Sequence, residues 1–244
     1  MKRWGTTVYR LLLAALLLAA GIFAERIGLV AYFTDPYEVP YLLGLIRRHL
    51  MLVGISMALA TTVGLGVGIL LTRRPFRRAA GVVMYIVGLG QTLPSIAVLA
   101  LMMSVLGIGV QTALFALFIY SILPIARNTL AGITSVPAPM IDAARGMGMT
   151  DARILLEVEL PNAMKVILTG FRVALVINIG TAALCYLIGA GGLGDLIFTG
   201  IAMDSPKKLL AGALPTTLIA LLADRGCELL GRLLIPRGLR EGGA

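Results

Sequence analysis

From Ala79 to Ala126 the chain carries no Asp, Glu, Lys, Arg or His. A water-soluble domain is about 25% charged, so an interruption would be due every few residues. A membrane-spanning helix takes about 20 apolar residues. The run is therefore too long for one span and long enough for two. The expected break is Gly107-Ile108-Gly109-Val110-Gln111, where glycine permits a turn. Leu50–Thr72 and Val173–Gly194 are further uncharged runs of spanning length. Leu209–Ala223 is shorter and spans if Asp224 and Arg225 lie at its inner end and snorkel. The composition agrees, with 59% hydrophobic and 14% charged residues. The expectation is an all-α, polytopic transmembrane bundle.

At the N-terminus, Lys2, Arg3 and Arg10 precede the apolar core Leu11–Ala24. A cleavable leader is one reading. The segment Gly21-Ile22-Phe23-Ala24 matches a small-x-small cleavage site poorly. A retained helix extended towards Phe33 is favoured, which makes about six spans. Lysine and arginine set the orientation. With the N-terminus inside, the inner segments hold all but Arg26, Arg47, Arg48, Lys207 and Lys208 of the 21 basic residues. Both termini are then cytoplasmic. Arg47, Arg48 and His49 are expected to snorkel in an outer interfacial segment.

Several function classes drop out. The net charge of +9 is split among short clusters, not gathered on one nucleic-acid-binding face. His49 is the only histidine, which leaves little for a metal site or Ser–His catalysis. Cys185 and Cys227 lie towards opposite membrane faces, so a disulfide is not expected. Gly189-Ala190-Gly191-Gly192-Leu193-Gly194 reads as G-x-G-x-x-G. That pattern binds dinucleotides only between a strand and a helix; here it ends a span on the outer side, as a flexible loop or gate hinge. No G-x-x-x-x-G-K-[ST] cradle occurs, so any ATP must be bound elsewhere. No Asp, Glu, Lys, Arg or His stands in the middle of an expected span, which argues that driving energy enters from another subunit.

The longest inner loop runs from about Arg127 to Lys165. Pro137 and Pro139 precede a short helix. Asp142 suits its first turn, Ala143 and Ala144 allow close approach, and Gly148 ends it. Thr150 or Asp151 caps a second helix, which Pro161 stops. This is a cytoplasmic helix–turn–helix knob over 137–161. The segment resembles the EAA loop of ABC importer permeases. Asp142-Ala143-Ala144 is followed at the family's spacing by Gly148, Val158 and Leu160-Pro161. Aspartate replaces the family's glutamate and valine its isoleucine.

A narrower resemblance covers most of His49–Asp224. Gly90-Gln91-Thr92-Leu93-Pro94-Ser95, Ala144-Arg145-Gly146-Met147-Gly148-Met149, Val158-Glu159-Leu160-Pro161, Ile177-Asn178-Ile179-Gly180-Thr181-Ala182 and Ile188-Gly189-Ala190-Gly191 are similar to the osmoprotectant permeases. The resemblance implies the MetI-like type I ABC importer fold. It implies a cytoplasmic ATPase dimer that carries ATP and Mg²⁺, with no cofactor on this chain. It also implies a second permease copy or paralogue, an extracytoplasmic solute-binding protein, and a bacterial cell (inner) membrane location. ATPase coupling falls to Asp142, Ala143, Ala144, Gly146, Gly148, Leu160 and Pro161.

Gln91, Thr92, Pro94, Ser95, Asn178 and Thr181 are candidates for the translocation path. The alternative for them is helix-to-helix glue. A quaternary ammonium would be held by aromatic faces, with Tyr85, Phe115, Phe118, Tyr120 and Tyr186 as candidates; ordinary lipid contact is the plainer reading. Gly64 and Gly68 form a small-xxx-small packing face. The expected organisation is an extra helix and outer loop over 1–48, a permease core over 49–235 and a cytoplasmic tail over 236–244. The expected function is the channel subunit of an osmoprotectant importer, not an enzyme. A stand-alone secondary carrier or channel is the alternative.

Overall fold

The computed structural model describes residues 2–234, and among them only helices and turns occur. The expected tail at 236–244, with Arg237 and Arg240, lies outside the described residues. Helix α1 covers Lys2–Arg26 and leaves Leu12, Leu16, Leu18 and Ile22 uncovered, as a lipid-facing helix would. It does not continue to Phe33. Gly28, at φ 72°, turns the chain into the single-turn α2, Leu29–Tyr32. Leu29 and Tyr32 then pack with Leu42, Leu193, Leu196 and Ala211, so the N-terminal segment is bound to the later half of the chain.

Helix α3 runs unbroken from Glu38 to Thr72, 35 residues. At 1.5 Å per residue it is about 52 Å long, against a hydrocarbon core of about 30 Å. The surplus explains Arg47, Arg48 and His49. They belong to a helix longer than the apolar layer is thick, and the boundary expected at residue 49 falls inside it; His49 itself is fully buried and does not snorkel. Helices α4 (Ala80–Thr92, after a 3₁₀ turn at Arg77–Ala79) and α5 (Ser95–Leu106) meet at a bend of 97°. The stretch expected as one span is thus a sharply bent pair, broken at the proline that the sequence marks as a kink. Leu93 is extended and Pro94 cannot continue the helical ladder. The pair still crosses the bundle. It leaves from the Arg73–Arg78 end, and Ile108 beyond it meets Gly189 at the other end. Gly107 and Gly109, with φ of 79° and 118°, make the expected break.

Helix α6 (Val110–Thr134) is the central post, with Ala113, Leu117, Ile125 and Ala126 fully buried. Between lipid-solvated helices there is little hydrophobic drive, so close packing of small residues takes over. A Cβ on Gly64 would lie 2.9 Å from Ile125, and one on Gly68 2.5 Å from Thr129. Gly170 sits equally close to Asn128, at 2.5 Å. These glycines let α3 and α9 lie against α6 backbone to backbone.

Beyond α7 (Ala138–Gly146), the single-turn α8 (Asp151–Ile154) passes through a π turn, Leu155–Glu159, into α9 (Leu160–Ala182). Pro161 therefore does not stop a helix, as the sequence suggests. It sits in the first turn of α9, where the widened π turn tolerates its missing N–H. A 3₁₀ turn (Ala183–Ile188), α10 (Gly194–Ala202) and α11 (Pro206–Leu234) complete the fold. Asp224 does not merely snorkel; it forms a two-pronged ion pair with Arg172 of α9. Four single helices are long and apolar enough to cross a membrane, or five when the bent pair is counted as one span. Helix α1, at 25 residues, has the length for the further span the sequence suggests.

Candidate functional site

One end of the bundle carries Arg73–Arg78, α7 and the π turn. Helix α7 ends in a Schellman motif: Met149 N–H donates to Ala144 O at 3.1 Å and Gly148 N–H to Arg145 O at 2.9 Å. Gly148 holds φ 79° with open space around it. Asp142 is not in the first turn; it is the fifth residue of α7, 3.7 Å from Arg145, with 72% of its side chain exposed. Ala143 and Gly146 are exposed. Ala144 is only 2% exposed, so its methyl packs inward and is closed to a partner. Leu160 and Pro161 are half-buried where α8 passes into α9. An outward surface of Asp142, Ala143, Gly146 and Gly148 remains.

This knob is wired to the bundle. Arg73, at the C-cap of α3, forms an ion pair with the buried carboxylate of Glu159 in the π turn. Glu159 is the acid a burial argument would single out, since unpaired carboxylates are rarely buried. It stands in the Val158-Glu159-Leu160-Pro161 motif, but only the fold shows its partner.

The path candidates divide into two groups that grip α6. Gln91 Nε2 donates to Tyr120 O at 2.8 Å. Tyr120 hydroxyl in turn donates to Leu93 O at the α4–α5 bend. Thr92 Oγ1 back-bonds to Leu89 O at 2.8 Å. Pro94 forms the bend and Ser95, half-buried, starts α5. Asn178 is fully buried at the junction of α3, α6 and α9. Its Nδ2 donates to Ser121 Oγ at 2.7 Å and its Oδ1 accepts from Ser56 Oγ at 3.2 Å. Thr181 is half-buried one turn on. Ser56 and Ser121, each within an apolar run, complete a cluster the sequence reading did not assemble.

At the opposite end, Arg48 Nε donates to Ala190 O at 2.9 Å. His49, fully buried, uses Nε2 on Ile179 O at 3.1 Å. Gly189, Gly191 and Gly192 all have positive φ. The glycine segment, expected as a flexible loop or gate hinge, is a tight turn held by Arg48, with Ala190 and Leu193 buried. Some of the aromatic candidates make ring contacts. Phe115 and Phe118 pair at 6.5 Å, and Tyr186 stacks on Phe198 at 6.1 Å. Tyr85 and Phe115 face outward. Among the described residues no group of His, Cys, Asp and Glu is arranged to hold a metal ion.

Residues 64–236 match the family described as binding-protein-dependent transport system inner membrane component. The chain is 48% identical over 221 residues to the osmoprotectant import permease protein OsmY of Salmonella typhimurium, covering 91% of this chain and 92% of that protein. It is 42% identical to the carnitine transport permease protein OpuCB of Listeria monocytogenes, over 80% of this chain and 88% of that one. It is also 42% identical to the glycine betaine/carnitine/choline permease protein OpuCD of Bacillus subtilis, over 83% and 88%. Among solved structures, a chain of the inward-facing MetNI methionine ABC transporter superposes with a TM-score of 0.74. That match has 23% identity and covers 83% of this chain and all of that one; it speaks to the fold alone.

Proposed function

The chain belongs to the family of binding-protein-dependent transport system inner membrane components, and from that premise we propose that it is the membrane subunit of an ATP-driven importer of a small osmoprotectant, such as glycine betaine or a related quaternary amine. The observation that carries the solute class is the likeness, over most of both chains, to permeases named for osmoprotectant, carnitine and choline transport. ATP and Mg²⁺ bind a separate cytoplasmic ATPase dimer, because the chain has no phosphate cradle of its own. A second copy or paralogue of the permease completes the channel, and an extracytoplasmic binding protein delivers the solute. Both termini and α7 face the cytoplasm of the bacterial cell.

The exposed knob on α7 docks into the ATPase. Closure of the ATPase dimer draws the knobs together. The movement passes along α8 and the π turn into α9, and through the Arg73–Glu159 pair into α3. Rotation of these helices about α6 opens the path outward, and hydrolysis resets it, a rigid-body form of alternating access. A quaternary ammonium has no hydrogen-bond donor and is held tightly only by aromatic faces. The tight site therefore belongs to the external binding protein, and the membrane path binds weakly.

Reconstitution of this chain with its ATPase, partner permease and binding protein in liposomes tests the reading. Labelled glycine betaine should enter only with ATP and the binding protein together. Gradient-driven flux through the chain alone would overturn it.

A further inference from the structure

Two cavities adjoin along the last turns of α3. The first has a volume of about 240 Å³ and is lined by Leu65, Ile69, Met164, Leu168 and Phe171, among others. Thr61 is its one polar wall residue, and the Thr61 hydroxyl has no partner among the described residues. The five apolar side chains are half-buried, so the slot is open at the surface of the chain. The second cavity, about 710 Å³, is walled by Arg73, Arg74 and Arg77 and by Asp142 and Arg145 of α7. Its size is that of a small-molecule site.

The two are neighbours along the same helices. Ile69 and Arg73 stand one turn apart on α3, and Leu160 of the slot follows Glu159 of the pocket. The Arg73–Glu159 ion pair marks the boundary between apolar and charged walls. Arg145 is offset by Asp142, whereas Arg74 and Arg77 pair with no carboxylate among the described residues. Asp151 also lines the pocket, without an arginine of its own. An apolar slot beside a chamber whose two free guanidiniums outnumber its one free carboxylate complements an amphiphile with an anionic head.

We propose that the paired cavities hold one anionic phospholipid of the inner leaflet, its phosphate on Arg74 and Arg77 and an acyl chain along Leu65 and Leu168. The headgroup then lies between the 73–78 turn and α7. The inner leaflet rests on the cytoplasmic placement of that turn proposed above.

The test is lipid retention by the purified full chain, read by native mass spectrometry, with phosphatidylglycerol against phosphatidylcholine of the same acyl chains. Two guanidiniums at about 1 kcal/mol each give a preference of about thirtyfold, at 1.4 kcal/mol per tenfold. Arg74→Gln with Arg77→Gln should bring the preference close to parity with an unchanged size-exclusion profile. Ile69→Trp, which fills the slot, should lower retention of both lipids. Equal retention by the unaltered chain, or undiminished preference in the double variant, overturns the site. Arg78→Cys probed with an impermeant maleimide separates the two readings. Labelling from outside sinks the topology and the inner-leaflet assignment, whereas no labelling together with parity sinks the lipid site alone.

Discussion

Gln91 supplies the hydrogen bond that Pro124 takes away from Tyr120. Proline at position 124 has no N–H, so the carbonyl four residues earlier in α6 loses its partner. Gln91 Nε2 reaches it from α4 at 2.8 Å. Tyr120 hydroxyl returns a bond to Leu93 at the bend. The proline in one helix and the break in its neighbour are thus satisfied by each other, away from water where an orphan carbonyl costs most. Gln91→Leu should cost about 1–3 kcal/mol of stability. In a Pro124→Ala background the N–H returns, and the same change should cost well under half as much. Thermal unfolding of the four proteins checks this. Additive losses would mean that Gln91 does not serve the Tyr120 carbonyl.

Asn178 bridges three helices through Ser56 and Ser121. Interhelical hydrogen bonds within a bilayer average about 0.6 kcal/mol. Asn178→Leu should therefore lower stability by about 1–2 kcal/mol and leave the solute KM within about twofold. A large KM rise with unchanged unfolding temperature would return this residue to the path.

The outline of the fold is legible from where charge is missing, because a bilayer penalises charge over its whole thickness. The Gly107–Gly109 break and the knob at 137–161 follow from glycine and proline in the same way. Other features depend on what lies beside them in the fold and are not legible. Pro161 looks like a helix stop, since only the π turn before it makes room for continuation. Pro94 suggests a kink, but the 97° bend needs Tyr120 to hold Leu93. Asn178 reads as a path candidate, and its partners Ser56 and Ser121 come from helices distant in the chain. The inward face of Ala144 is hidden for the same reason: a short helix shows which residues are small, not which side is covered.

The clamp on the glycine turn is a local test of the opposite end. Where α9 tightens into a 3₁₀ turn, N–H groups pair three residues back, and the Ile179 carbonyl takes His49 Nε2 instead. His49→Leu should cost about 1–3 kcal/mol and speed amide exchange in residues 183–194 by more than tenfold. Unchanged exchange there would show that Arg48 and packing alone pin the turn.

Gly148 joins fold to function most directly. Its φ of 79° closes the Schellman motif, and nothing lies within 4 Å of an added Cβ. Gly148→Ala therefore costs only the backbone penalty, about 1 kcal/mol, and Gly148→Asn less, since asparagine accepts this conformation. Both should import solute at near the unaltered rate. Gly148→Trp puts a bulky ring on the outward surface formed with Asp142 and Ala143. Membrane insertion and unfolding temperature should stay close to those of the alanine variant, while ATP-dependent uptake and co-purification of the ATPase fall at least tenfold. A tryptophan variant that imports and couples normally would mean that the ATPase grips the permease somewhere other than this knob.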